Sequence, residues 1–112
     1  MNFEIGTDIV NIIHLKETIK TNPHFLKKYY TFHELELAKT LKNPYFFYAT
    51  RFAAKEAIYK ATNGEFEFHE IEILKDEYGK PVPKILHHND IKIKLSLSYE
   101  KEYAIAFCIV LL

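Results

Sequence analysis

The spacing of apolar residues changes near Asn63-Gly64, and this change restricts the fold more than any other feature of the chain. Before it, helical segments are interrupted by Asn22-Pro23 and Asn43-Pro44. After it, apolar and polar residues alternate, as they do in strands with one covered face. One strand, then helices, then alternating segments is the order expected of an α+β domain.

The residues before this change predict one strand and three or four helices. They are a strand over FEIGTDI, one or two short helices over 11–30, a third over 32–41 and a long one over 45–61. FEIGTDI alternates apolar and polar side chains and carries Asp8 near its end. Thr31 and Glu34 have the spacing of a capping box, which indicates where the third helix begins.

Four strands are predicted after the change: HEIEIL, PVPKIL, IKIKLSL and YAIAFCIVLL. Turn-like spacings join the first two and the last two, so we expect two hairpins. The expected fold is a largely antiparallel sheet of five strands with the long helix and the shorter helices packed on it. The last strand is apolar on both faces, which places it at the centre of the sheet or in a subunit interface.

The composition excludes several classes of protein. Among 112 residues, 48% are apolar and 15% aromatic, which suits one domain, residues 1–112, rather than a disordered chain. Lys plus Arg and Asp plus Glu number 15 each, so no overall charge attracts nucleic acid or a membrane surface. No stretch has the length of a membrane span, and one cysteine excludes a disulfide framework. We therefore expect a cytoplasmic protein.

The segment RFAAKEAIYKA, residues 51–61, combines small and charged side chains. On a helix the alanines form one face, which would let the helix approach the sheet closely. Arg51, Lys55, Glu56 and Lys60 fall on the other half of the helix. This charged half is expected to face a ligand or the solvent.

Asp8 and Glu56 are the first candidates for chemistry. If the long helix crosses the first strand, the two carboxylates meet, and Mg²⁺ takes one or two carboxylates together with substrate phosphate oxygens. Lys60, one helical turn after Glu56, would face the same anion. The alternative is an exposed pair between Glu56 and Lys60, with Asp8 capping a turn.

The first helices form a second candidate, because they are locally basic. They carry Lys16, Lys20, Lys27 and Lys28 against Glu17 alone, a local charge of about +3. These lysines form either a solvated helix face or a docking surface for an acidic partner.

Three separated stretches resemble one known family. GTDIVNI, RFAAKEAIYKA and SLSYEKEYAIAF, with DEYGKP before the last, resemble the holo-acyl-carrier-protein synthases, the small bacterial phosphopantetheinyl transferases, in order and spacing. The resemblance implies a phosphopantetheinyl transferase fold. It also implies Mg²⁺-dependent transfer of the phosphopantetheine group of coenzyme A to a serine of apo acyl carrier protein, for fatty acid biosynthesis. A homotrimer with its sites at subunit interfaces is implied as well.

The resemblance also implies roles for individual residues. Asp8 and Glu56 would bind the metal, and Glu56 and Lys60 would be catalytic, with Lys60 on the pyrophosphate. The residues that would bind coenzyme A are Arg51, Lys60, Lys80, Pro81 and Tyr99. The residues on which the carrier would dock are His14, Lys16, Lys20, Lys27 and Lys28.

The chain departs from the family pattern at three places. Tyr99 stands where the family usually has histidine, and His14 where it often has arginine. Thr62-Asn63-Gly64-Glu65 replaces a glycine-threonine-glycine run. Two functions therefore stay open: an active transferase, or a catalytically weakened relative that acts as a coenzyme A-binding or scaffolding subunit. The acidic pair and its lysine together favour the enzyme.

Overall fold

The computed structural model describes residues 2–112 and confirms the predicted order of elements. The elements are β1 (Phe3–Asn11), α1 (Ile12–Thr21), α2 (Phe25–Tyr29), α3 (Phe32–Ala38), α4 (Tyr45–Ala61), a 3₁₀ helix (Phe68–Glu70), β2 (Ile71–Lys75), β3 (Pro81–Ile85), β4 (Lys92–Tyr99) and β5 (Tyr103–Leu111). The capping box of Thr31 and Glu34 begins α3, as the sequence predicts. No helix in the described residues is long and apolar enough to cross a membrane.

The strands are antiparallel but form two sheets. One sheet has the order β1-β5-β4, with β5 in the centre as expected, and the other is the β2–β3 hairpin. The α+β class with antiparallel strands is confirmed. The single five-stranded sheet that the sequence suggested is not formed, because β3 lies beside β4 without pairing to it.

Two prolines in β3 account for this separation. The amide of Asp76 donates to the carbonyl of Lys80 at 2.9 Å, so these two residues form a hydrogen-bonded pair. From there, hydrogen-bonded and non-hydrogen-bonded residue pairs alternate along the hairpin, and Pro81 and Pro83 fall in the non-hydrogen-bonded pairs. This alternation directs the nitrogens of Pro81 and Pro83 away from β2, toward the free edge of the strand. Since proline has no N–H, this edge lacks two of the donors that pairing with β4 would need.

The long helix α4 packs closely on β1 and β5. A Cβ atom added to Gly6 of β1 would lie 1.9 Å from the carbonyl oxygen of Ala57, so this position of β1 admits only glycine. Ala53, Ala54 and Ala57 are fully buried. The alanine face of α4 is therefore the one that covers the sheet, as the sequence suggested.

The three-stranded sheet is covered by α4 on one face only. Along β5, residues alternate between buried positions under α4 and exposed positions on the opposite face. The large apolar side chains exposed on the opposite face are Phe3, Ile5, Ile9, Tyr103, Ile105 and Phe107. We call these six residues the open sheet face. On β1 the apolar side of the strand is thus the exposed side, while Gly6 and Asp8 turn toward α4.

Candidate functional site

The packing of α4 across β1 brings Asp8, Glu56 and Lys60 together. The Nζ atom of Lys60 lies 3.3 Å from Oδ1 of Asp8 and donates to the carbonyl of Thr7 at 3.0 Å. Glu56 lies close enough to both side chains for their charges to act on its carboxyl. We call Asp8, Glu56 and Lys60 the acidic cluster. The close approach at Gly6, two residues before Asp8, is what makes this arrangement possible.

The electrostatics of the acidic cluster favour a cation. Burial raises the pKa of Glu56 above its ordinary value of 4.5, and the negative charge of Asp8 raises it further, while Lys60 lowers it. Two carboxylates with one ammonium group leave a net negative charge in a partly desolvated place. The donor set fits Mg²⁺, which uses one or two carboxylates and completes its shell with water and substrate oxygens.

The described residues offer no richer metal site. Among residues 2–112, no group of three or more histidine, cysteine, aspartate or glutamate side chains is placed to hold a metal ion. A metal at Asp8 and Glu56 would therefore need ligands from outside the chain. A phosphorylated substrate would supply them.

Arg51 does not share a surface with the acidic cluster. It is 9% exposed, and its guanidinium donates to the carbonyls of Ile73 and Leu74 in β2, both at 3.2 Å. Its guanidinium carbon also lies 4.3 Å from the centre of the Phe47 ring. Burial lowers the pKa of Arg51, although the negative charge of Glu34 opposes this shift.

Lys55 is entirely buried and forms an ion pair that the sequence did not indicate. Its Nζ atom lies 2.8 Å from Oε1 of Glu34 and donates to the carbonyls of Phe68, at 2.9 Å, and Ile71. The other oxygen of Glu34 accepts from the amide of Ile73 at 2.7 Å. The interpretation of the charged half of α4 as one outward surface is therefore wrong. The sequence predicted Glu34 as part of a capping box, but no sequence pattern indicated its ion pair with Lys55.

The proposed coenzyme-binding residues are divided between two neighbouring depressions and the acidic cluster. Tyr99 and Arg51 line one cleft, together with Lys75 and Gly79. The ring of Tyr99 packs on that of Phe46, with 4.9 Å between their centres. Lys80 and Pro81 line a groove between β3 and β4. Lys60 lies in the acidic cluster, whose residues line neither of these two depressions.

The proposed docking residues lie on the neighbouring helices α1 and α2. His14 and the lysines at 20, 27 and 28 are exposed, and Lys16 is half-buried. The Nζ atoms of Lys16 and Lys20 lie 4.9 and 6.0 Å from the centre of the Tyr45 ring. No local sequence pattern indicates Tyr45, because it is distant from both lysines along the chain.

Comparison with known proteins identifies the family. Residues 4–108 match the 4'-phosphopantetheinyl transferase superfamily. The chain belongs to this superfamily. A holo-[acyl-carrier-protein] synthase of Clostridium tetani is 37% identical to it over 117 residues, covering 95% of this chain and 93% of the relative. Another, of Clostridium novyi, is 39% identical over 116 residues, covering 94% and 84%.

A solved structure supports the same relationship. The crystal structure of a holo-(acyl-carrier-protein) synthase from Bacillus anthracis, in complex with CoA (3',5'-ADP), has a TM-score of 0.85 to this chain. The two are 33% identical, with 96% of this chain and 94% of that chain covered. The resemblance expected from GTDIVNI, RFAAKEAIYKA and SLSYEKEYAIAF is confirmed.

Proposed function

We propose that this phosphopantetheinyl transferase acts as a holo-[acyl-carrier-protein] synthase, which transfers the phosphopantetheine group of coenzyme A to a serine of an apo acyl carrier protein. Family membership and the named activity of its relatives support this function. The observation that carries it is the acidic cluster, in which Asp8 and Lys60 meet although they lie 52 residues apart in the sequence. A scaffold would have no need for two carboxylates and a lysine around one point.

The reaction forms a bond from the serine oxygen to the phosphorus that bears the pantetheine arm. The bond from that phosphorus to the leaving adenosine 3',5'-bisphosphate breaks. Asp8 and Glu56 would hold Mg²⁺, which neutralises charge on the pyrophosphate when bound. Lys60 would add a positive charge beside the same oxygens. Glu56 would accept the serine proton.

A second chain would complete the coenzyme site. In one chain, the residues of the acidic cluster line neither the cleft of Arg51 and Tyr99 nor the neighbouring groove of Lys80 and Pro81. The open sheet face leaves large apolar side chains exposed, and such patches commonly mark subunit interfaces. We therefore extend the proposal to a homotrimer with its sites at the subunit interfaces.

The carrier is expected to dock on α1 and α2. An acidic recognition helix would meet His14, Lys16, Lys20, Lys27 and Lys28, and opposite charges would favour the encounter.

Fatty acid biosynthesis is the proposed pathway, in the cytoplasm and without nucleic acid or membrane as a partner. The interpretation of residues 1–112 as one domain also stays a prediction.

One assay separates the transferase from the weakened relative. The chain is incubated with coenzyme A, Mg²⁺ and an apo acyl carrier protein, and the mass of the carrier is followed. A gain of one phosphopantetheine group is expected, and chelation of the metal should prevent it. Coenzyme binding with no change in the mass of the carrier would support the binding subunit instead.

A further inference from the structure

Two lysines of α1 contact the same aromatic ring. Lys16 and Lys20 lie one turn apart on α1, and both ammonium groups lie over Tyr45, the first residue of α4. A cation is attracted to the face of an aromatic ring within about 6 Å of its centre. The two positive charges of Lys16 and Lys20 therefore lie close together beside the ring of Tyr45.

Neither lysine is neutralised by a neighbouring acid. The ion pairs found among residues 2–112 involve other side chains, and none includes Lys16 or Lys20. A contact with a ring attracts an ammonium group but leaves its full charge available to a partner. An ion pair would fix the same group and cancel that charge.

The ring itself is held by the core. Tyr45 is half-buried and makes an edge contact with Tyr48, with 6.3 Å between the ring centres. Tyr48 is 8% exposed, and its carbonyl accepts a hydrogen bond of 2.7 Å from the buried hydroxyl of Tyr30. The support for both lysines is thus a fixed part of the fold.

We propose that Tyr45 is a positioning residue that holds Lys16 and Lys20 in place for an acidic carrier protein. This inference rests on the proposed function, because the carrier supplies the acidic partner. A free lysine side chain loses rotamer freedom when it binds, and an ordered one has lost much of it already. Tyr45 would therefore lower the cost of docking without touching the carrier's serine or the coenzyme.

The test compares Tyr45→Leu, which removes the ring, with Tyr45→Phe, which keeps the ring and removes the hydroxyl. We expect the leucine variant to raise the KM for apo carrier about fivefold, with kcat and the KM for coenzyme A unchanged. The phenylalanine variant should match the parent. In NMR spectra, the ring should shift the ε-methylene protons of Lys16 and Lys20 upfield, and only the leucine variant should lose that shift.

A variant with an unbranched side chain, Tyr45→Met, replaces the leucine variant if the latter fails to fold by circular dichroism. An unchanged carrier KM in the ringless variant would overturn the inference, and so would an equal rise in Tyr45→Phe. A rise in the KM for coenzyme A would overturn it as well, by assigning Tyr45 to the coenzyme site. Absence of transfer by the parent chain would instead refute the proposed function, and the docking inference with it.

Discussion

At the scale of single residues, the carboxyl of Glu56 carries the largest share of the proposed chemistry. It is half-buried beside Asp8, and both burial and that neighbouring charge raise its pKa. Without a metal, a carboxylate in this position accepts protons more readily than a solvated one, and a bound dication stabilises its ionised form. The raised pKa thus supports metal binding by this residue.

Substitution of either carboxylate should stop the reaction. We expect Asp8→Asn or Glu56→Gln to reduce kcat/KM for transfer by at least about 100-fold, since each removes a metal ligand and Glu56 also accepts a proton. Neither change removes core surface, so the free energy of unfolding should change by less than about 1 kcal/mol. Glu65→Gln, at an exposed position after α4, is the matched control. Near-normal turnover in either test variant would contradict the assignment.

Mg²⁺ should stabilise the fold in a way that depends on pH. Because the folded pKa of Glu56 is raised, its carboxyl favours folding when protonated, and this contribution is lost as pH rises from 4.5 through the raised value. Mg²⁺ binds the ionised form, so its stabilising effect should be larger at pH 7 than at pH 5. The measurement is the shift of Tm on adding Mg²⁺ at each pH. Equal shifts in the parent and in Glu56→Gln would exclude Glu56 as a ligand.

At the scale of elements, buried polar contacts attach α4 to its neighbours. Arg51 donates to carbonyls of β2, and Lys55 joins α4 to α3 through Glu34. Glu34 in turn accepts from the amide of Ile73 in β2. These bonds fix the rotation of α4 about its axis, which determines where Glu56 and Lys60 point.

Removal of Lys55 should destabilise the fold strongly. We expect Lys55→Met to lower the free energy of unfolding by about 3–5 kcal/mol, because it leaves the charge of Glu34 buried and unpaired. Adding Glu34→Gln to this variant should restore part of the loss. Lys60→Met, on an exposed lysine of the same helix, should change stability by less than about 1 kcal/mol. Urea unfolding of the four proteins gives the values, and a loss under about 1 kcal/mol for Lys55→Met would contradict the role of the pair.

At the scale of the whole molecule, the two faces of the three-stranded sheet differ. Under α4, β5 contributes Ala104, Ala106, Cys108 and Val110, all fully buried. On the other side the open sheet face is apolar, and Phe107 is 44% exposed. Since α4 leaves the apolar side chains of β1 and β5 uncovered on this other face, the sheet is suited to assembly.

The chain is expected to be a trimer, and a charge on the open sheet face should disrupt it. We expect Phe107→Glu to lower the molar mass measured by light scattering and to reduce transfer, because the proposed sites need two chains. Phe32→Glu, on an exposed phenylalanine of α3 outside the sheet, should leave the trimer intact. A parent chain that is monomeric at micromolar concentration would exclude the assembly.

The sequence by itself determined the order of the elements, the boundaries of α4, the two hairpins and the covered face of that helix. It also supplied the family, through motifs that span nearly the whole chain. These features depend on local spacing, on proline and capping signals and on side-chain size, all of which neighbouring residues reveal. Local spacing also indicated Asp8, Glu56 and Lys60 as site residues, under the expectation that α4 crosses β1.

Only the tertiary structure decided which charges are buried and which apolar residues are exposed. Lys55 lies beside Glu56 in the sequence, yet one is enclosed and the other is half-buried, because α3 and β2 cover only one side of α4. The pairing of the strands likewise depended on how the edge of β3 meets β4. The contact of the Tyr45 ring with Lys16 and Lys20 of α1 is also a tertiary contact. Such contacts join residues that are distant in the chain, so no local pattern records them.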